Sequence, residues 1–449
     1  MAVFTATVAR SDVDAVLAQR AYRRVTLRLI PFLFLCYVVA YLDRVNVGFA
    51  KLQMLKDLSM SDTAYGIGAG IFFIGYFLFE VPSNLILHRV GARVWIARIM
   101  VTWGAISILM MFVSGPLTFY LLRFLLGIAE AGFFPGIVLY LTHWYPSSRR
   151  AQIISLFLTG VAISGVIGGP LSGWILGSMT GVGGLAGWKW LFLLEGIPSL
   201  VMGVATYLYL PDSIEGAAWL PHDEKSRLVQ NLRDEAGGVE HANVFATLRD
   251  PRVILYAGIS FSFVMGLYGI SFWLPQLIRT MGVQDATRIG MLSGIPSAVA
   301  AIVMVLLGWS SDRFHERRWH LVGGALMGAT GLVVAGLFGT HLVIGLAAMS
   351  AAMAGALSNI ALFWTLPTAA LRGTSAAAGI AAINSIGNLA GFLSPYMIGV
   401  VKDATGEATF GLYVIAVFML IGAGLVLIAT RHRQGDSSLV RKVITSAAE

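Results

Sequence analysis

Charged residues are scarce in this 449-residue chain. They make up 12% of the sequence, against about 25% in an ordinary soluble globular protein, while 57% of the residues are hydrophobic. This deficit of charge argues against a soluble fold and predicts a protein that crosses a membrane many times. The 51 glycines agree with this class, since glycine is more frequent in transmembrane helices than in soluble ones.

Cysteine and the common catalytic motifs are also missing or nearly so. Cys36 is the only cysteine, which excludes an intramolecular disulfide and a multi-cysteine metal cluster. The sequence has no HExxH, no Walker loop and no GxSxG. We therefore expect no enzyme, no metal site and no organic cofactor. Residues 1–28 are charged and lack the apolar core and cleavage site of a signal peptide.

Long apolar stretches dominate what is present. Each is long enough to cross about 30 Å of hydrocarbon as a helix of roughly 20 residues. The twelve stretches are near residues 27–48, 63–86, 93–113, 116–141, 151–176, 189–210, 252–278, 288–310, 319–340, 342–366, 375–400 and 408–430. They predict an all-α membrane protein with twelve transmembrane helices in two six-helix bundles, residues 27–210 and 251–430.

The most charged internal stretch separates the two bundles. Residues 211–250 predict a linker with a short amphipathic helix near 221–236. Residues 1–26 form the N-terminal segment and residues 431–449 the tail. Lysine and arginine accumulate in cytoplasmic segments. With a cytoplasmic N-terminus, the inside segments hold 23 of the 31 and the outside segments 6.

This bias predicts an inner-membrane protein with both termini and the linker in the cytoplasm. The basic residues behind the net charge of +8 are spread over seven short segments, so they indicate topology and not nucleic-acid binding.

The loops after helices 2 and 8 partly repeat one motif, G-x-x-x-D-R-x-G-x-R. The retained positions are Arg89, Gly91 and Arg93 in the first loop and Gly308, Asp312 and Arg313 in the second. We expect these residues to serve gating and helix packing, although His88 replaces the aspartate of the first motif.

Apart from basic residues near the helix ends, six charged residues lie inside the predicted helices of the first bundle: Asp43, Arg44, Glu80, Arg123, Glu130 and Glu195. A charge at the centre of a membrane helix costs at least about 2.5–3.5 kcal/mol, so such residues usually face a bundle interior or a water-filled cavity. For Glu80 we expect an ion pair with the basic loop that follows helix 2. Glu195 has no evident partner in its own helix and is interpreted as structural.

Helix 4 carries Arg123 and Glu130 seven residues apart, on one face and roughly 10.5 Å apart along the axis. They are too far apart to pair, whereas Asp43 and Arg44 of helix 1 carry the complementary charges. A buried network that only fixes helix packing stays open as an alternative. An arginine binds a carboxylate with two parallel hydrogen bonds, so Arg44 and Arg123 suit an anionic substrate.

Two six-helix halves with matching loops resemble the major facilitator superfamily of secondary transporters over essentially the whole chain. That resemblance implies a substrate site near the bilayer midplane, between the halves. The segments YLDRVN (41–46) and LLRFLLGIAEAGFFPG (121–136) narrow it to the anion:cation symporter family, which takes up organic acids with protons. The blocks 68–99, 164–176 and 268–278 are similar to its bacterial tartrate and 4-hydroxyphenylacetate branch.

The resemblance implies roles for individual residues. Proton-handling carboxylates fall on Asp43 and Glu130, and substrate-binding arginines on Arg44 and Arg123. Galactonate-type members suggest further contacts at Tyr41, Tyr76, Trp364 and Asn384, and we add Asn388, one turn after Asn384 on the same helix face. The expected function is proton-coupled import of a small organic carboxylate by alternating access, in a monomer, with protons as the coupling ion.

Two other functions stay open on the sequence. GVIGGPLSG (165–173) partly matches the glycine-proline motif of drug antiporters, which favours export, but small residues there also serve close helix packing. Two intramembrane arginines suit a cationic drug poorly. A transporter-like sensor would bind an acid without moving it across a membrane.

Overall fold

The computed structural model describes residues 2–235, 249–371 and 374–446, and these residues contain helices and connecting loops but no strand. The α-helices are α1 (Ala2–Asp57), α2 (Asp62–Val90), α3 (Ala92–Leu109), α4 (Pro116–Glu130), α5 (Phe133–Thr142), α6 (Ser147–Ser178), α7 (Gly187–Tyr209), α8 (His222–Glu235), α9 (Pro251–Thr280), α10 (Ala286–Arg313), α11 (Arg318–Leu337), α12 (Leu342–Phe363), α13 (Thr365–Ala370), α14 (Thr374–Asn388), α15 (Ala390–Thr405) and α16 (Thr409–Ser446).

Among the described residues, eleven spans are each long and apolar enough to cross a membrane. The predicted span near 375–400 is built from two shorter helices, α14 and α15, which meet at Leu389. Together they make the twelfth crossing. The predicted all-α membrane fold is confirmed.

Some predicted bounds differ from the observed ones. α1 begins at Ala2, not near residue 27, because residues 2–26 contain no glycine or proline that would end a helix. α16 likewise continues past residue 430 to Ser446. The predicted linker helix is present as α8, His222–Glu235. Residues 236–248 of the predicted linker lie outside the described residues.

The two halves repeat one packing pattern. α2 packs on α4 and α3 on α7, and at the equivalent positions of the second half α10 packs on α12 and α11 on α16. Between the halves, α2 packs on α15 and α6 packs on α10. Aromatic rings add to this contact, since Phe73 of α2 lies 4.5 Å from Tyr268 and 6.2 Å from Phe272 of α9, measured between ring centroids.

Small residues allow the close approach of α6 and α10. A Cβ atom on Gly169 of α6 would lie 2.7 Å from the carbonyl oxygen of Gly290 on α10, too close for any other residue without a backbone shift. Gly173 meets Gly290 in the same way. The GVIGGPLSG segment therefore serves helix packing between the halves.

The fourth membrane span is interrupted. α4 ends at Glu130, and Gly132 adopts φ +85°, a left-handed conformation that favours glycine. α5 then continues the span from Phe133. The interruption makes Glu130 the last residue of a helix in the middle of the protein.

Candidate substrate site

A cavity of about 100 Å³ lies between the two halves, at the level of Tyr76 near the midpoint of α2. Six of the seven residues predicted to bind substrate line it. They are Tyr41 and Arg44 of α1, Tyr76 of α2, Trp364 after α12, and Asn384 and Asn388 of α14. The structure thus brings together residues that are more than 300 positions apart in the sequence.

Arg44 is the charged residue at the centre of this cavity. Its side chain is 13% exposed, and it forms an ion pair with Glu130. Its other terminal nitrogen, Nη1, donates a hydrogen bond to the Tyr268 hydroxyl at 3.0 Å. Glu130 belongs to the first half and Tyr268 to the second, so one guanidinium contacts both halves. Tyr268 was missed in the sequence, where it is one more tyrosine in an apolar helix.

Aromatic rings surround the same guanidinium. The Cζ atom of Arg44 lies 5.6, 5.4 and 5.5 Å from the ring centroids of Tyr41, Phe72 and Tyr76. The rings hold the cation in place by cation–π attraction and keep water away from it. A cation held in this way binds an incoming carboxylate more strongly than one in bulk water.

Arg123 lies elsewhere. It is fully buried, and it donates to two backbone carbonyls of α2, from Nε to Gly68 at 3.2 Å and from Nη2 to Ala69 at 2.9 Å. It does not line the cavity. Of the two ion pairs that complementary charge allows, only Arg44–Glu130 forms, and Asp43 and Arg123 contact other groups. The arginine instead fastens α4 to α2.

Asp43 also points away from the cavity. Its carboxylate accepts hydrogen bonds from Trp103 Nε1 at 2.7 Å, from Ser107 Oγ at 2.8 Å and from Ser199 Oγ. These donors belong to α3 and α7, inside the first half. Successive residues of a helix point about 100° apart, so the neighbours Asp43 and Arg44 face different surroundings.

The predicted ion pair between Glu80 and the loop after α2 is wrong. Its carboxylate accepts hydrogen bonds from Asn384 Nδ2 at 2.8 Å and from Ser385 Oγ at 2.6 Å, both on α14 of the second half. The face of α2 that carries Glu80 meets the second half and not the loop after α2. Glu80 therefore joins the two halves next to the cavity. Asn384 both lines the cavity and donates a hydrogen bond to Glu80.

The loop motifs form local contacts. Arg93 pairs with Asp212, with Nε 3.2 Å from Oδ2, and its backbone N–H donates to Oδ1 at 3.1 Å. Gly91, at φ +96°, separates α2 from α3. In the second half Asp312 pairs with Arg317. The side chains of Arg89 and Arg313 are exposed. The side chain of His88 lies outside the described residues.

A cluster that the sequence did not predict closes the end of the molecule opposite α8, which we call the far side. It consists of Lys51 and Asp62 from the first half and Trp273, Lys402 and Asp403 from the second. Asp62 lies 2.7 Å from the fully buried Nζ of Lys51 and 2.9 Å from Nζ of Lys402. Lys51 appears in the sequence to be a loop residue, but α1 continues past it to Asp57.

Other contacts of this far-side cluster also join the halves. The Nζ of Lys51 lies 2.9 Å from the ring centroid of Trp273. Asp403 caps the N-terminus of α2, accepting from the backbone N–H groups of Asp62 at 3.1 Å and Thr63 at 2.7 Å. The far side is therefore closed by charges shared between the halves, with the cavity beneath it.

Several known proteins are similar to this chain over most of its length. The chain is 48% identical over 429 residues to the "Putative metabolite transport protein NicT" of Pseudomonas putida, covering 95% of this chain and 98% of the relative. It is 49% identical over 426 residues to a "Putative tartrate transporter" of Agrobacterium vitis, covering 94% and 93%. It is 45% identical over 409 residues to a "Quinolone resistance transporter" of Acinetobacter baumannii, covering 90% and 94%.

The fold is shared with solved structures at low sequence identity. A bacterial homologue of the human lysosomal transporter Spinster superposes with a TM-score of 0.72 at 19% identity, covering 91% of this chain and 97% of that structure. The relatives at 45–49% identity are all named as transport proteins, and the protein is a membrane transport protein. Residues 33–395 match the model of the Major Facilitator Superfamily, and the chain belongs to that family.

Proposed function

We propose that this transporter imports a small organic carboxylate together with protons, by alternating access. The observation that carries the proposal is Arg44, a guanidinium held in an aromatic surround inside the central cavity and bonded to both halves. Its planar fork matches a carboxylate, and Asn384 and Asn388, which line the same cavity, would contact the rest of a hydroxy acid, sugar acid or aromatic acid.

The Arg44–Glu130 pair supplies a coupling mechanism. A substrate carboxylate that binds Arg44 takes the place of the Glu130 carboxylate. Glu130, only 2% exposed, then loses its counter-charge in a buried position, where an ionised carboxylate is costly. It takes up a proton instead. Substrate and proton thus enter the cavity together, which is the requirement for symport.

Arg44→Lys tests the site. Lysine keeps the charge but cannot reproduce the fork, so about 1.5–3 kcal/mol of binding free energy should be lost, roughly 10- to 100-fold in Kd. The assay is thermal-shift titration of purified protein with L-tartrate, galactonate and 4-hydroxyphenylacetate. Arg98→Lys is the matched control, since Arg98 stacks on Trp95 of its own helix α3 at 3.8 Å and does not line the cavity. Equal binding by Arg44→Lys and the parent would contradict the proposed site.

A second candidate is export of a quinolone-like acid, favoured by the 45% identity to the quinolone resistance transporter. A quinolone carries a carboxylate, so the same Arg44 contact would serve it. Everted membrane vesicles distinguish the two directions of transport. When a proton pump acidifies the vesicle lumen, an antiporter accumulates ciprofloxacin there, whereas a symporter does not. Accumulation there that disappears in Arg44→Lys would favour export over import.

The proposed location is the inner membrane, with the termini and the linker in the cytoplasm. The far side would then face outward, and the far-side cluster would close the external entrance.

A further inference from the structure

A second group of buried polar residues lies inside the first half, away from the substrate cavity. Its centres are Asp43 of α1 and Glu195 of α7, which are 2% and 3% exposed. In the described part of the chain, neither carboxyl has a basic side chain within ion-pair distance. Two ionised carboxylates without a contacting cation are costly in a buried site, so protonation of at least one of them is favoured.

The hydrogen bonds indicate which of the two is ionised. Asp43 accepts from Trp103, Ser107 and Ser199. An indole N–H can only donate, so this surround suits a carboxylate that only accepts. The charged groups that face Asp43 from neighbouring helices are Arg123 and Glu130 of α4, whose opposite charges act against each other, so the hydrogen-bond donors are what distinguishes this carboxyl.

Glu195 has fewer hydrogen-bond donors around its carboxyl group than Asp43 has. Its Oε1 accepts one hydrogen bond, from Ser172 Oγ of α6 at 2.7 Å. Its Oε2 is buried without a hydrogen-bond partner among the described residues, and so is the amide oxygen Oδ1 of the adjacent Asn46. An ionised Glu195 would place a buried negative charge on an oxygen that has no described hydrogen-bond partner within bonding distance, whereas the protonated form carries no charge, so the buried site favours the protonated form.

A path connects this carboxyl to the substrate cavity. Ser172 lines a second cavity of about 50 Å³ between α1, α6, α9 and α10. At about 10–15 Å³ for each molecule, that volume holds roughly three to five waters. Both cavities are lined by Tyr41 and Leu267, so the two spaces adjoin. Gly168 and Gly169 of α6 also line this cavity.

We infer that Glu195 is a proton-binding residue of the transport cycle, which exchanges its proton with water in the cavity past Ser172 and is linked to Asp43 through Asn46. The Nδ2 atom of Asn46 lies 3.5 Å from Asp43 Oδ1, which completes the link. The step breaks one O–H bond of a hydronium ion in the cavity and forms one O–H bond at Glu195 Oε2, which leaves a neutral water behind. Its role in transport rests on the proposed proton coupling, whereas its protonation does not.

Infrared spectroscopy of the protein in lipid tests the protonation directly and without substrate. At neutral pH the parent should show the C=O stretching band of a buried carboxylic acid, and Glu195→Gln should lose the intensity of one such group. Glu224→Gln is the matched control, because Glu224 is also buried but lies on α8, 3.3 Å from Arg24. A full band in Glu195→Gln would overturn the inference.

Proteoliposome uptake of radiolabelled L-tartrate tests the role in transport. Glu195→Gln should lose most uptake driven by a pH gradient while it retains exchange, and Glu224→Gln should keep both. Ser172→Ala keeps the carboxyl and should slow gradient-driven uptake several-fold without loss of the infrared band, which provides a test even if Glu195→Gln does not fold. Unchanged gradient-driven uptake in both variants would overturn the role in transport. If uptake by the parent does not depend on the pH gradient, the result would instead contradict the proposed symport.

Discussion

Replacing Asp62 with asparagine should open the far side of the transporter. Asp62 is the negative charge of the far-side cluster that both Lys51 and Lys402 contact, at 2.7 and 2.9 Å. Asparagine has nearly the same shape but no charge. The fully buried Lys51 would then be held against Trp273, beside a neighbouring lysine, without a carboxylate of the described chain in ion-pair contact.

The expected size of the effect follows from the burial of Lys51, whose side chain is 0% exposed. Removing one partner of a buried ion pair typically costs about 3–5 kcal/mol, because the other charge stays desolvated. In a state with the far side open, both lysines would be hydrated and the cost would largely vanish. The equilibrium should therefore shift towards the open state by roughly 100-fold or more.

Labelling of one engineered cysteine measures this shift. Cys36 is the only native cysteine, so Cys36→Ala gives a clean background. Leu274→Cys places a thiol on α9, buried beneath the far-side cluster, at 4% exposure. Asp62→Asn should raise its rate of reaction with a membrane-impermeant maleimide on intact cells by one to two orders of magnitude.

Asp57→Asn is the matched control, because Asp57 is also on the far side but accepts from Trp188 at 2.8 Å within the first half. It should leave the labelling rate unchanged. Equal rates in Asp62→Asn and the parent would refute the reasoning, since the pair would then contribute nothing to closure. Equal increases in both aspartate variants would indicate general loosening instead.

Two further predictions concern coupling and topology. Glu130→Gln should abolish L-tartrate uptake driven by a pH gradient but spare exchange, because glutamine resembles the protonated carboxyl and cannot release a proton; full gradient-driven uptake would remove Glu130 from the proton path. Reporters fused after Glu449 and inserted near Gly237 should both report cytoplasm, and a periplasmic signal at either place would contradict the proposed orientation.

The sequence alone was sufficient for the class of protein, its helices and part of the cavity. Apolar length determines a membrane crossing whatever its neighbours are, so the spans and the α8 helix could be located without tertiary contacts. The complementary charges of helices 1 and 4 likewise indicated that Arg44 and Glu130 could meet as an ion pair. A charge in an apolar helix is rare enough to identify residues that face the protein interior.

Only the tertiary structure decided where each of those charges points. Asp43 and Arg44 are adjacent in sequence, yet the rotation along a helix sends one into the first half and the other into the cavity. Arg123 donates hydrogen bonds to backbone carbonyls of α2, and backbone carbonyls carry no sequence signature. Glu80 and Lys51 find partners more than 200 residues away, in the other half. Composition and spacing report what a residue is and how deep it lies, whereas its partner depends on how two helix bundles are placed against each other.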